Sequence, residues 1–391
     1  MTKPPVFIIT PKPLATPGGF QTYVKTLQIT LRYLGYPTRV FSLPPLPRPL
    51  AFLPVLSLFL SLKLMPHLKS HPIIIGIGPW SLAGAFLKLF YPHLKLIAFA
   101  PTTIKHEFAA EAANLRSPEY PLWPKLAAAL AHISLIPLYS LLERWSLRQA
   151  DATLVHYQSA KKLLTREYRL PAAKILLFPD TLPPLPRSKA ETLSLSKGPP
   201  LILCVTRHDA RKGINYLLRA LSLLQNRHQP FTAIIAGTGT HLAAHRQLAR
   251  SLQLTHVSLP GYVKNPSSLY TKASLFVLPS LEEGSSSLSL LEAMRAGLPI
   301  VTTRIDGILE DITHLHSGLL VPPANAKALA QAMYHLLTHP KLATHLGAQT
   351  QKAFLKRHSP YRFRIGITKL VSQFSGINSP RSANHASAIP F

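Results

Sequence analysis

Glu283 and Glu292 stand out in a chain with only 15 Asp and Glu among its 391 residues. They lie in LEEGSSSLSLLEAMRAGLPIV, residues 281–301, between a strand-like run, LFVLPS, and a helix-like run, SLLEAMRAG, that Gly297 and Pro299 bring to an end. A loop of glycine and serines entering a helix offers backbone amides and hydroxyls to anionic oxygens. A carboxylate one turn further on, Glu292, four positions after Leu288, can accept from ligand hydroxyls. Sugars present such hydroxyls in number. Complementarity with the helix dipole, worth about 0.3–1 kcal/mol, would account for one acid near a helix start but not for the whole pattern.

A second group with chemical potential is VTRHDARKGINYLLRAL, residues 205–221, where Arg207 and Lys212 follow a strand and Gly213 opens a helix. Two cations in one loop beside helix-start amides make a clamp for a diphosphate. The same residues also read as an ordinary solvated basic loop. A third candidate, AGTGTHL (236–242), follows a strand as a dinucleotide-binding turn does, but Leu242 stands where the third small residue should be, and no acid lies near position 258 to hold a ribose. Gly237 and Gly239 therefore read as residues of a tight turn.

These loops need a scaffold that presents strand ends. Apolar runs alternate with longer helical stretches in the first half (VFIIT, RVFSL, PIIIGIG, LKLIAFA, ATLVHY, KILLF) and again in the second (LILCVT, TAIIAG, HVSLPG, LFVLPS, IVTT, GLLVPP). That rhythm predicts βαβ units and parallel sheets. The expected architecture is α/β, two Rossmann-like doubly wound domains facing a cleft, with ligands at the carboxyl ends of the strands. The boundaries read as 1–180 for the first domain, 181–199 for a Pro, Ser and Lys-rich linker, 200–358 for the second domain, 359–376 for a C-terminal helix returning to the first, and 377–391 for a disordered tail.

Composition narrows the partners. With 47% hydrophobic residues the chain can bury large cores, and 43 Lys and Arg give a formal charge of +28. The excess is spread evenly, +15 over residues 1–190 and +13 over 191–391, without a basic arm, a zinc-finger pattern or an RNP-like aromatic motif, so a nucleic-acid partner is not expected. Cys204 is the only cysteine, which excludes an intrachain disulfide framework and fits a reducing cytoplasm. The start, MTKPPVFIIT, reads as a strand and not as a signal peptide. Two oily stretches, 49–62 and 126–142, fit buried helices or, with the basic surface, a helix lying in an anionic membrane interface.

Taken in order, TRHDARKG, AGTG, LPGYV, LYTKASLFVLPSLEEGSSSLSLLEAMRAGLPIVTTRIDGILE and SGLLVPPANAKALAQAM resemble the nucleotide-sugar half of the retaining GT-B glycosyltransferases of group 1 type, glycosyltransferase family 4, across about residues 200–340. In the first half, TPGGFQTYVKTLQITLRYLGYPTRVFS and ADATLVHYQSAKKLL resemble that family's Gly-Gly loop and a later strand and helix. The resemblance implies a hexosyltransferase that moves a hexose from a nucleotide diphosphate sugar to an acceptor hydroxyl on a glycan or a lipid-linked sugar. It implies that Arg207 and Lys212 neutralise the donor diphosphate, that Glu283 contacts the transferred sugar, that Ser286, Ser287 and Leu288 cradle phosphate and sugar, and that Glu292 holds the ribose. Gly18 and Gly19 would let backbone approach the phosphates, and His106 would supply an imidazole near the sugar. It implies no cofactor and no metal. With both cations expected to be exposed, Arg207→Ala or Lys212→Ala should abolish transfer and leave the fold intact.

The sequence departs from the family pattern in three places. Its glutamates are usually eight positions apart; Glu283 and Glu292 are nine apart, so the loop carries an extra residue and Glu282 could take the place of Glu283. The usual Asn-Gly after the strand at 175–178 is PDT here, and the usual Gly-Asp after LLVPP is AN. The competing reading is a non-catalytic carbohydrate- or anionic-membrane-binding protein with the same fold.

Overall fold

The computed structural model describes residues 3–10, 12–16, 18–43, 53–100, 103–104, 122–183, 198–283, 287–305 and 307–375, with residues 122–135 as backbone only. The chain divides into two compact units, one drawn from Met1–Phe108, Leu126–Pro186 and His358–Phe391, the other chiefly from Arg187–Arg357.

The first unit is a six-stranded sheet of β1 (Val6–Thr10), β2 (Thr38–Ser42), β3 (Ile73–Ile77), β4 (Lys95–Phe99), β5 (Ala152–Val155) and β6 (Ile175–Leu177) in the order β2-β1-β3-β4-β5-β6. Every pairing is parallel. Its helices are α1 (Gly19–Tyr33), α2 (Leu53–Leu64), α3 (Ser81–Phe90), α4 (Leu122–Gln149), α5 (Gln158–Arg166) and, from the far end of the chain, Pro360–Ser375. VFIIT and IIIGI are buried at every position because a parallel sheet is covered on both faces. Alternation splits β1 between two cores: Phe7 and Ile9 pack with α2, α3 and α4, while Val6 and Ile8 pack with α1 and the C-terminal helix.

That C-terminal helix is seated by Phe363, whose ring lies 5.2 Å from that of Phe178, and by Gly366, where a Cβ would come within 2.7 Å of the Phe178 ring. The turn before it is tied by polar contacts, with His358 Nδ1 2.9 Å from the Asp180 carbonyl and Thr181 Oγ1 donating to the His358 carbonyl at 2.6 Å.

The second unit repeats the plan with β7 (Leu201–Val205), β8 (Thr232–Ala236), β9 (Val257–Gly261), β10 (Leu275–Leu278), β11 (Ile300–Thr303) and β12 (Leu319–Val321), ordered β12-β11-β10-β7-β8-β9 and parallel throughout. Helices α6 (Ile214–Gln225), α7 (Leu242–Ser251), α8 (Ser267–Lys272), α9 (Leu288–Arg295), α10 (Ile308–Asp311), α11 (Ala326–Thr338) and α12 (Pro340–His358) cover it, and the C-terminal helix Pro360–Ser375 is α13. From β7 the chain first builds outward through β8 and β9, then returns to the other side of β7 with β10. The carboxyl ends of β7 and β10 therefore flank a topological switch point, where the connections diverge and leave a crevice.

Residues 53–62 of the first oily stretch lie in α2 and the second stretch lies in α4, and among the described residues no helix is long and apolar enough to cross a membrane. The linker region 184–197 and the tail 376–391 lie outside the described residues.

In the first unit the strand-to-helix turn after β3 is the closest approach. A Cβ on Gly76 would sit 2.4 Å from Ser81 Cα and 2.9 Å from Ser81 N. Gly76→Ala is expected to destabilise the protein by about 1–3 kcal/mol, the usual cost of forcing an extra methyl into a packed core. A thermal unfolding midpoint equal to wild type would show that the approach is looser than this.

Candidate functional site

At the switch point of the second unit two loops are stitched together. The first, Thr206–Gly213, leaves β7 through a short turn and enters α6; the second follows β10 from Pro279. The Leu281 amide donates to the Arg211 carbonyl at 2.6 Å. Gly213 takes a left-handed conformation (φ 61°), and a Cβ there would stand 2.1 Å from the Pro279 carbonyl oxygen, so only glycine fits. A third loop closes the other flank. Gly237 and Gly239 bring residues 237–239 against the carbonyls of Thr206 and His208, where a Cβ would come within 1.8 and 2.2 Å respectively. His208 N donates to the Thr238 carbonyl and His241 N to the His208 carbonyl, each at 2.9 Å. The glycines that read as a tight turn are thus the surface on which the basic loop rests.

The central contact is an ion pair. Lys212 Nζ donates to both carboxylate oxygens of Glu283 at 2.7 Å, and Ser280 Oγ donates to Glu283 Oε1 at 2.7 Å. Ser280 is in turn held by Thr303 on β11, whose hydroxyl donates to its carbonyl. Both charged side chains are buried, Lys212 at 10% and Glu283 at 7% exposure. This corrects the expectation that Lys212 is an exposed cation. A charge taken out of water must be paired, and the only acids the second loop supplies sit at its start, so Lys212 is drawn in under the loop. Glu283, not Glu282, is the residue it selects. Arg207 behaves as expected: its side chain is 66% exposed and reaches Asp209 at 3.2 Å.

Beyond the second loop, α9 carries Leu288 and Glu292, with Ser287 as its N-cap. Ser287 makes no capping bond; its hydroxyl lies 3.1 Å from that of Ser289. Burial raises the Glu292 carboxyl above the usual range, opposed by the Tyr270 hydroxyl and then the Arg295 guanidinium. Gly18 (φ 151°) and Gly19 belong to the first unit, at the turn from β1 into α1, where the Thr22 amide and hydroxyl both donate to the Gly18 carbonyl at 3.1 Å. His106 and Ser286 lie outside the described residues. Among the described residues no three His, Cys, Asp or Glu side chains form a metal-binding group.

Sequence reasoning missed two groups. Ser280 and Thr303 are ordinary strand-end hydroxyls whose partners become visible only in three dimensions. His208 and His245, 37 residues apart, place their Nδ1 atoms 3.0 Å from one another. Burial lowers the pKa of each to about 4, helped for His208 by Arg246 and for His245 by His208 and His241. The pair is therefore neutral at pH 7, one ring donating to the other, and anchors the Arg207 loop to α7 without adding charge.

Residues 187–353 match the family model described as glycosyl transferases group 1. An uncharacterized glycosyltransferase of Methanocaldococcus jannaschii is 34% identical over 141 residues, covering 35% of this chain and 36% of that protein. The chain spans 36% and 56% of the length of two curated relatives it matches. In structure it resembles the sucrose-phosphate synthase of Thermosynechococcus elongatus (TM-score 0.77, 20% identity, 95% of this chain and 99% of that one). It also resembles Anabaena HepE in complex with UDP and glucose (TM-score 0.69, 16% identity, 94% and 99%). At these identities the likeness is one of fold, and that fold is GT-B.

Because Lys212 is buried, Lys212→Ala is expected to cost about 3–5 kcal/mol of stability by leaving Glu283 unpaired, whereas Lys212→Met with Glu283→Leu recovers most of it. Chemical denaturation read by circular dichroism checks this; a single variant within about 1 kcal/mol of wild type would mean the pair is solvated. The histidine pair gives a pH signature. Between 6.5 and about 4 the unfolded chain binds protons that the folded pair refuses, so stability is fully present above this window and falls as pH drops through it. Thermal melts should show a shallower acid limb in a His208→Gln, His245→Gln variant. Equal slopes would place the acid sensitivity elsewhere.

Proposed function

We propose that this chain, whose residues 187–353 match the group 1 glycosyltransferase family model, transfers a hexose from a nucleotide diphosphate sugar to an acceptor hydroxyl with retention of anomeric configuration. The observation that carries the reading is the Lys212–Glu283 pair locked beneath the switch point, with the exposed guanidinium of Arg207 beside it. A carboxylate gripped by an ammonium and a serine hydroxyl has a fixed direction, which suits it to accept from a sugar hydroxyl. Lys212 therefore acts through Glu283, and the mobile diphosphate contact falls to Arg207, which can leave Asp209 and fork onto phosphate oxygens.

The remaining roles rest on the family resemblance. The first-turn amides of α9, with Ser286, Ser287 and Leu288, face the phosphates, because a helix start favours anions. Glu292 takes the ribose hydroxyls. Gly18 and Gly19 admit the phosphates to the first unit's backbone, and His106 meets the sugar or the acceptor. Metal-independent departure of the nucleoside diphosphate is part of this reading: Arg207 and the α9 amides together balance the charge that develops on it. A UDP-sugar is the first donor to test, since HepE, a protein of like fold, binds UDP and glucose. The acceptor is a glycan or a lipid-linked sugar, met at the cytoplasmic face of an anionic membrane. The lone buried Cys204, which needs no oxidising compartment, is in keeping with that location.

The test is a panel of UDP-, GDP- and ADP-sugars, read first as an upward shift in melting temperature and then as nucleoside diphosphate released with acceptor present. Arg207→Ala is expected to keep the wild-type midpoint, being exposed, and to lower kcat/KM about 10- to 100-fold, the worth of one or two charge-assisted hydrogen bonds. A melting shift without any nucleotide release would favour the non-catalytic binding protein, and unchanged turnover in Arg207→Ala would remove it from the donor site.

A further inference from the structure

Helix α2 is turned inside out. Its buried seam carries Ser57 and Ser61 beside Leu53, Leu60 and Leu64, and Ser61 Oγ satisfies itself on the carbonyls of Ser57 and Ala83, each at 2.9 Å. The outward face carries Val55 (67% exposed), Leu58, Phe59 and Leu62, a spacing of i, i+3, i+4 and i+7 that makes one continuous stripe, and Met65 extends it. Beside it α3, which packs against α2, ends in Leu89 and Phe90, the latter 77% exposed. Rings of His71 and His93, 5.5 Å apart, join the turn after α2 to the turn after α3, so the two apolar ends share one surface. A water-facing helix would reverse this arrangement, and an exposed apolar patch of this kind marks a binding surface.

The charge around the stripe says what covers it. Residues 1–106 contain eleven Lys or Arg and not one Asp or Glu. Lys63 lies 4.6 Å over the Phe59 ring at the edge of the stripe, and Lys69 is exposed one turn beyond it. Of the described carboxylates this unit takes from later in the chain, Glu143 and Asp180 are buried, Asp151 is paired with Lys88, and Glu167, just after α5, is exposed. A second copy of the chain would bring lysine against lysine. A folded protein partner would need a groove shaped to a single convex ridge, whereas acyl chains and headgroups flow around one, and anionic headgroups match the flanking lysines.

We propose that the exposed face of α2, with Leu89 and Phe90 of α3, lies in the interface of an anionic membrane, its apolar side chains among the upper acyl carbons and Lys63 and Lys69 at headgroup level. This assigns a place on the chain to the membrane partner in the reading above, and it does not depend on the donor chemistry. The test is sedimentation of the full chain with phosphatidylcholine vesicles with and without phosphatidylglycerol. Wild type should bind only the anionic vesicles, and less as salt rises. Leu58→Ser with Leu62→Ser should lower the partition coefficient roughly tenfold or more. Lys63→Glu with Lys69→Glu, which touches no apolar contact inside the fold, should abolish the preference for anionic vesicles. Both variants should keep the wild-type melting shift with nucleotide sugar; if wild type lacks that shift, the donor reading fails while the vesicle result stands. Equal sedimentation of wild type with neutral and anionic vesicles, unchanged binding by the charge-reversed variant, or a dimer in vesicle-free solution that the serine variant dissolves would overturn the proposal, the last in favour of a second copy.

Discussion

The geometry of the candidate site depends on the buried pair between Lys212 and Glu283. As a contribution to stability such a pair is poor value: two ions lose their water, and an apolar pair of similar volume would serve the fold as well or better. What it supplies is direction. Two 2.7 Å bonds from one ammonium and a third from Ser280 fix both oxygens of Glu283 relative to β7 and β10, which hydrophobic contact cannot do. The loops after these strands come from segments about 70 residues apart and meet at the point where the sheet reverses its order. A directional bond at that point turns two loops into one surface.

Such a surface needs the backbones to come closer than side chains permit. Gly213 and Gly237 each sit where a single methyl would collide with a facing carbonyl, at 2.1 and 1.8 Å. The three loops thus approach by deletion of side chains and are then held by the bonds of the side chains that remain. The exposure of the two cations follows. Lys212 lies under the packed layer and is committed to Glu283, whereas Arg207 stands exposed on its rim beside Asp209, so one loop yields a buried charge and an exposed one.

Much of this plan was legible in the residues. Unbroken apolar runs such as VFIIT and IIIGI can only be strands covered on both faces, and their alternation with amphipathic stretches gives two parallel sheets. The motif LEEGSSSLSLLEAMRAG likewise announces a loop entering a helix, and Ser287 and Leu288 do open α9. What stayed hidden are contacts that local patterning cannot encode. Nothing in ARKG says that its lysine is buried, because burial there is decided by an acid 71 positions later. The choice between Glu282 and Glu283 is likewise made by where β10 ends. The contact of His208 with His245 rests on the packing of α7 against the β7 loop. In α2 the pattern misleads for another reason: a helix apolar on every side carries no period from which to read its buried face, and the serines mark the seam only because small residues allow close packing against α3.

Several buried polar side chains in both units meet backbone beyond strand carboxyl ends. Glu143 accepts from the Ile104 amide just beyond β4 and from the Tyr168 hydroxyl, and His156, directly after β5, has its Nδ1 2.8 Å from the Phe178 carbonyl that follows β6. Asp180 meets the turn into α13 through its carbonyl, and in the second unit His208, Lys212, Ser280 and Glu283 all follow the ends of β7 and β10. Polar contacts occur elsewhere too: Asp151 accepts from the Leu96 amide at 2.8 Å near the start of β4, Thr38 at the start of β2 donates to the Tyr36 carbonyl at 2.9 Å, and Thr302 within β11 donates to the Leu278 carbonyl at 2.9 Å. Burying polar groups costs desolvation, and a fold concerned only with stability would scatter or omit them. Those at the carboxyl edges, where parallel sheets present their loops to ligands, fix backbone position there by directional bonds, which apolar contact, tolerant of small shifts, does not do.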